Sequence, residues 1–247
     1  MTADLQAGLR ALWKQAFGDP EETLDAFFAT GFSPTRCNYT LIGGRPVSAL
    51  YWFDCSLDGK KLAYLYAVAT AESHRGRGLA RRLIEDTHSR LAAQGYAGAI
   101  LVPGAPELIS FYQKLGYREA TTIRVLECER AEQAVSLTQI DGIRYAQLRK
   151  AYLPAGGVLQ EGAAIDFLAS QATFYAGDDF LLAASKADGA LVCHELLGDT
   201  QAAGSILQAL GLPQGRFRIP GDGRGFAMFR PLEDGCPLPC YFGLALD

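Results

Sequence analysis

At 247 residues, 49% hydrophobic and 20% charged, the chain has room for one large domain or two of ordinary size. A net charge of -4 and an isoelectric point of about 5.5 exclude the global basic field that nucleic acid or an anionic membrane asks for. No apolar run approaches the roughly 20 residues of a membrane span. The start, Met1-Thr2-Ala3-Asp4-Leu5, also lacks the basic and apolar regions of a signal peptide. A cytoplasmic protein with no nucleic-acid or membrane partner is therefore expected.

Residues 5–17 place Leu5, Leu9, Leu12, Trp13 and Phe17 on one helical face. Gly18-Asp19-Pro20-Glu21 ends that helix and opens a second, running to about Thr30. Strands are predicted at 38–42 and 46–53, separated by the turn pair Gly43-Gly44, and again from Lys61 to Val68. A glycine bend at 75–78 leads into a long amphipathic helix, followed by an apolar strand at 98–102. The helix between them makes that strand parallel to its predecessor. A short helix is predicted at 106–115, and a branched strand at 121–128 is expected to close the layer.

Residues 129–139 read as a polar linker. Beyond it the pattern predicts helices at 143–153, 162–170 and 202–210. Strands are predicted at 180–185, 190–197, 217–219, 225–230 and 241–246. This is an abbreviated echo of the first half without a glycine-and-arginine loop. Gly221-Asp222-Gly223-Arg224-Gly225 precedes a strand and reads as a hairpin.

The chemistry concentrates at Arg75-Gly76-Arg77-Gly78-Leu79-Ala80. A glycine-rich bend between a strand and a helix turns several backbone N–H groups into one small cavity, an anion site suited to a ligand carrying phosphates. A dinucleotide fold fits poorly, because antiparallel strands come first and the next strand ends in Pro103-Gly104 rather than a carboxylate. No Gly-Lys-Ser or Gly-Lys-Thr follows, which excludes a Walker loop. The six cysteines are scattered and read as reduced. Cys236-Pro-Leu-Pro-Cys240 has no second ligand pair, so no metal is expected.

The order of elements and the segments Arg75-x-x-Gly78-x-Ala80 and Phe111-Tyr112-x-x-x-Gly116-Tyr117 resemble the GCN5-related N-acetyltransferase (GNAT) superfamily over residues 1 to about 130. The resemblance implies a mixed α/β fold: a splayed sheet flanked by helices, then a smaller GNAT-like α/β domain. The domains would be 1–130, binding acetyl-coenzyme A, and 131–247, a reduced copy walling the acceptor cleft. It further implies acetyl-CoA as cosubstrate, with pantetheine along Val68, Ala69 and Thr70 and the diphosphate held by Arg75, Gly76, Arg77, Gly78, Leu79 and Ala80. Tyr112 would protonate the departing thiolate as an acetyl group passes to a primary amine of a small molecule or peptide.

The residues themselves offer Glu72 and Asp54 as candidate bases for that amine. His74 reads as an anion contact or surface residue, and Tyr117 as core where the family commonly has phenylalanine. Tyr51, Trp52, Phe53, Tyr64 and Tyr66 shape a pocket or fill the core. Ala105 stands where the family often has asparagine, and the family's first strand is missing. The other readings are a non-catalytic acyl-CoA-binding module and a purely structural protein. Either a monomer or a homodimer is compatible.

Overall fold

Helix α1 (Ala3–Phe17) starts where Thr2 Oγ1 accepts the Leu5 N–H and stops at left-handed Gly18. It buries Leu9, Leu12 and Trp13. The computed structural model to which it belongs describes residues 2–246. The chain divides into two compact units, residues 1–118 with 228–236 and residues 119–227 with 237–247.

In the first unit, α2 (Glu21–Ala26) runs into a π-helical turn, Phe27–Gly31. Strands β1 (Cys37–Ile42), β2 (Arg45–Leu57) and β3 (Lys60–Thr70) form an antiparallel meander. Helix α3 (Leu79–Ala93) then returns the chain so that β4 (Gly98–Leu101) lies parallel to β3. Alternation along β2 and β3 sorts two faces. Leu50, Trp52, Ala63 and Leu65 pack with Leu83, Ile84 and Leu91 of α3. Tyr51 and Tyr66 join Trp13 and Phe27, and Phe53 packs on Phe27, in an aromatic layer beneath α1 and α2.

The neighbour of β4 on its other side is the strand Met228–Pro231, antiparallel, with Phe229 opposite Ile100. Gly98 makes room for it, since a Cβ there would collide with the Phe229 ring. The strand expected to close this layer, β5 (Thr122–Glu129), lies elsewhere: it pairs with Gln214–Pro220 of the second unit. The pairing thus overturns the expected partner, which the local sequence pattern does not specify.

The second unit continues with β6 (Thr138–Ile140), α5 (Gly142–Tyr152), α6 (Ala163–Ala169), β7 (Thr173–Ala176), β8 (Phe180–Ala187), β9 (Ala190–Gly198), α7 (Ala203–Leu210) and β10 (Gln214–Pro220). The sheet order is β5-β10-β9-β8-β7-β6, with β9 and β10 parallel. Part of the expected linker is thus strand β6, paired with β7. Arg224–Gly225 pairs with Ile123 and Thr122 rather than closing a hairpin. Residues 241–246, expected as a strand, are buried without a ladder and form only the bridge Gly157↔Tyr241.

At the centre of this unit Arg149 and Glu195, both fully buried, form a two-pronged ion pair at 2.6 and 2.9 Å. Tyr145 and Tyr241 donate their hydroxyls to the same carboxylate at 2.9 and 3.0 Å. Glu195 therefore has its lone pairs met, the condition under which a buried charge is tolerated. Among the described residues no helix is long and apolar enough to cross a membrane.

Candidate functional site

The first sheet parts at its centre. β3 and β4 pair only through Leu62↔Gly98, Ala63↔Ala99 and Tyr64↔Ile100, after which β3 continues to Thr70 beside β2 alone. A bulge between Ala49 and Tyr51 bends β3 there, and Ala67 takes up the distortion with φ +49°. The N–H of Ala71 bonds the Val47 carbonyl at 2.8 Å, so Ala69 and Ala71 face β2. The alternate residues, Val68 and Thr70, turn their backbone groups toward the parting.

This refines the expectation for the strand end. Val68 and the Thr70 N–H face the gap, whereas the Thr70 carbonyl accepts Arg75 Nε at 3.3 Å and the Ala69 carbonyl is taken by the buried Ser48 hydroxyl at 2.9 Å. Ser48 also bonds Thr70 Oγ1 at 2.9 Å and thereby pins the end of β3. Sequence reading did not single out Ser48, because its partners lie 21 and 22 residues away.

The glycine bend stands at this end of β3. Gly76 and Gly78 have φ of +75° and +71°, and a Cβ on Gly76 would meet nothing within 4 Å. The glycines thus serve backbone conformation and leave open space beside it. The N–H groups of Gly76, Arg77, Gly78, Leu79, Ala80 and Arg81 make no hydrogen bond among the described residues; the helical ladder begins with Arg82 N–H to Gly78 O at 3.1 Å. Three side chains brace the loop: Arg75 Nε on the Thr70 carbonyl (3.3 Å), Arg77 on Ser73 (3.1 Å) and Arg82 on Arg77 (2.9 Å). Positive side chains, open amides and the positive end of a 15-residue helix converge here.

Tyr112 lies on α4 (Ile109–Gln113), its ring 7% exposed among Leu83, Leu115 and Tyr117. Its hydroxyl makes no hydrogen bond among the described residues. Burial pushes its pKa up to about 12, above the ordinary phenol value. It therefore holds its proton throughout the physiological range.

The two candidate bases part company. Glu72 is exposed in the short turn Glu72–His74 that joins β3 to the loop. Asp54 pairs in register with Ala63, seven residues before Thr70, or about 20 Å along the strand. It accepts the Tyr96 hydroxyl and pairs with Arg36 at 3.3 Å and Lys61 at 3.9 Å. Asp54 is thus drawn into a polar cluster away from the end of β3 at which the loop stands. His74 bonds Ser73 at 2.9 Å.

Residues 1–120 match the family model of the acetyltransferase (GNAT) domain. No match was found among curated protein sequences. A GCN5-related N-acetyltransferase from Kribbella flavida superposes with TM-score 0.71 at 16% identity, covering 94% of this chain and 71% of that one. A putative acetyltransferase from Pyrococcus horikoshii gives 0.67 at 14%, covering 99% and 92%. A tandem GNAT protein from the clavulanic acid biosynthesis pathway gives 0.57 at 10%, covering 94% and 96%. The splayed mixed sheet flanked by helices is the GNAT fold, and it is residues 1–120, just under half of the chain, that are similar to the GNAT acetyltransferase domain.

Proposed function

We propose that the first unit transfers an acetyl group from acetyl-CoA to a primary amine of a small molecule or peptide. The observation that carries this reading is the run of unpaired N–H groups from Gly76 to Arg81 beside a parted pair of parallel strands. Six main-chain donors at a helix start suit a diphosphate, and Arg75 and Arg77 add charge. The gap-facing groups of Val68 and the Thr70 N–H suit the amides of an extended pantetheine arm, with one N–H left to stabilise the oxyanion.

In this reading the amine nitrogen attacks the thioester carbonyl carbon and the carbon–sulfur bond breaks. Tyr112 gives its proton to the departing thiolate, while Glu72, through water, takes the one shed by the amine. A phenol held above its usual pKa is a weak acid in bulk water. The same desolvation that raises it also raises the pKa of a thiol formed beside it, so the transfer is better matched than the solution values suggest.

Titration calorimetry with coenzyme A, followed by thiol release over a panel of peptide amines, polyamines and aminoglycosides, tests the proposal. Binding with turnover on one acceptor class is expected; absence of binding would end it. The ion pairing of Asp54 favours a second reading, an acyl-CoA-binding module without proton chemistry, since it leaves exposed Glu72 as the other candidate base. Tight binding with no turnover on any acceptor would select that reading.

A further inference from the structure

The Tyr117 ring stands edge-on to Tyr112, centroids 5.8 Å apart at 74°, within the range where aromatic pairs attract. Its hydroxyl is hydrogen-bonded to His88 Nε2 at 2.7 Å. Tyr117 and His88 are 3% and 4% exposed. A phenylalanine would fill this position equally well, whereas a buried hydroxyl is costly unless it is bonded. The hydroxyl therefore has its use in the bond to His88. Burial drives the His88 pKa down to about 3, so the imidazole is neutral and the contact is constant across physiological pH.

His88 belongs to α3, the helix whose first turn carries the open amides. On the other flank, the Arg230 guanidinium donates to the Leu115 carbonyl, in the turn that links Tyr112 to Tyr117. The candidate proton donor is thus braced against the same helix that heads the anion loop.

We propose that Tyr117 and His88 act as a positioning pair for Tyr112, setting its ring, and hence its hydroxyl, in fixed register with the loop at the head of α3. The proposal rests on the reading of Tyr112 as proton donor. It is tested by thiol release from acetyl-CoA with the best acceptor of the panel, or with water where no amine is taken.

Tyr117→Phe is expected to lower kcat about tenfold with KM for acetyl-CoA unchanged. His88→Gln, whose amide reaches the same hydroxyl, is expected to retain most of the rate. In a Tyr112→Phe background, Tyr117→Phe should cost nothing further, because the pair acts through Tyr112. Wild-type kcat in Tyr117→Phe, or an undiminished loss in that background, overturns the positioning pair alone. An unaltered rate in Tyr112→Phe, or no thiol release by the wild type, overturns the donor reading together with it. Should Tyr117→Phe fail to fold, Tyr117→Phe/His88→Leu removes both polar partners, and normal kcat in that variant equally overturns the pair.

Discussion

Each unit contains a strand, a helix and a parallel return strand, and in both the parallel pairing lasts three residues before ceasing. In the first it spans Leu62↔Gly98 to Tyr64↔Ile100; in the second, Leu191↔Gly215 to Cys193↔Phe217. Both outgoing strands are bulged near that point, opposite Ala49–Tyr51 and Ala183–Ala184. The connections differ. The first crosses two left-handed glycines, exposes unbonded amides and enters a helix of 15 residues. The second uses Asp199, whose carboxylate accepts the Gln201 N–H, before a helix of 8 residues. An anion can use main-chain donors only where the chain has not already supplied its own acceptor. The same topology therefore leaves a run of open donors in one unit, whereas in the other a carboxylate of the chain already meets one of them.

The comparison is broken most severely in the second unit. Glu195→Ala leaves the Arg149 guanidinium buried and unpaired, and urea unfolding is expected to show a loss of about 3–5 kcal/mol. Replacing both members, as in Arg149→Met/Glu195→Leu, should recover a large part of it. In the first unit, Tyr112→Phe is expected to reduce kcat about 100-fold while coenzyme A affinity is unaltered. With the wild-type phenol at about 12, the pH–rate profile should show no alkaline fall from Tyr112 below about pH 10.

Gly78→Ala forces a Cβ into the left-handed region at a cost of about 1–2 kcal/mol, and calorimetry should record weaker coenzyme A binding; Ala203→Gly in the second unit should leave that binding untouched. His88 sharpens the contrast through pH. Its folded pKa, about 3, lies below the ordinary 6.5, so the stability it contributes is full above pH 6.5 and drains as pH falls toward 3. Urea unfolding should show a slope approaching 1.4 kcal/mol per pH unit from this residue, absent in His88→Gln. The smallest effect is expected at Asp54, whose side chain is 46% exposed. Asp54→Asn should change stability by less than about 1 kcal/mol and leave kcat at the wild-type value.

The glycine loop, the helix after it and the Tyr112 helix were legible because each is written in contiguous residues: positive-φ glycines, a helical stripe, a glycine stop. What escaped is what depends on partners distant in sequence. The apolar residues of Thr122–Glu129 or Met228–Pro231 say that the strand is partly buried, but not against which strand. Asp54 looked like a free loop acid because Tyr96, which engages it, is 42 residues away. Tyr117 looked like core, and it is; the bond of its hydroxyl to His88 spans 29 residues. Glu195 did leave a trace, a lone carboxylate inside the apolar run Leu191–Leu197, and a charge so placed demands a buried partner.

The strand Met228–Pro231 sets the order of events during synthesis. The flank of β4 stays bare until the ribosome has passed residue 231, although β1 to β4 were made more than a hundred residues earlier. A fragment cut at the boundary of the family match would leave Ala99, Ile100 and Leu101 on an unpaired edge. Such a piece is destined to associate with its own kind rather than remain dispersed.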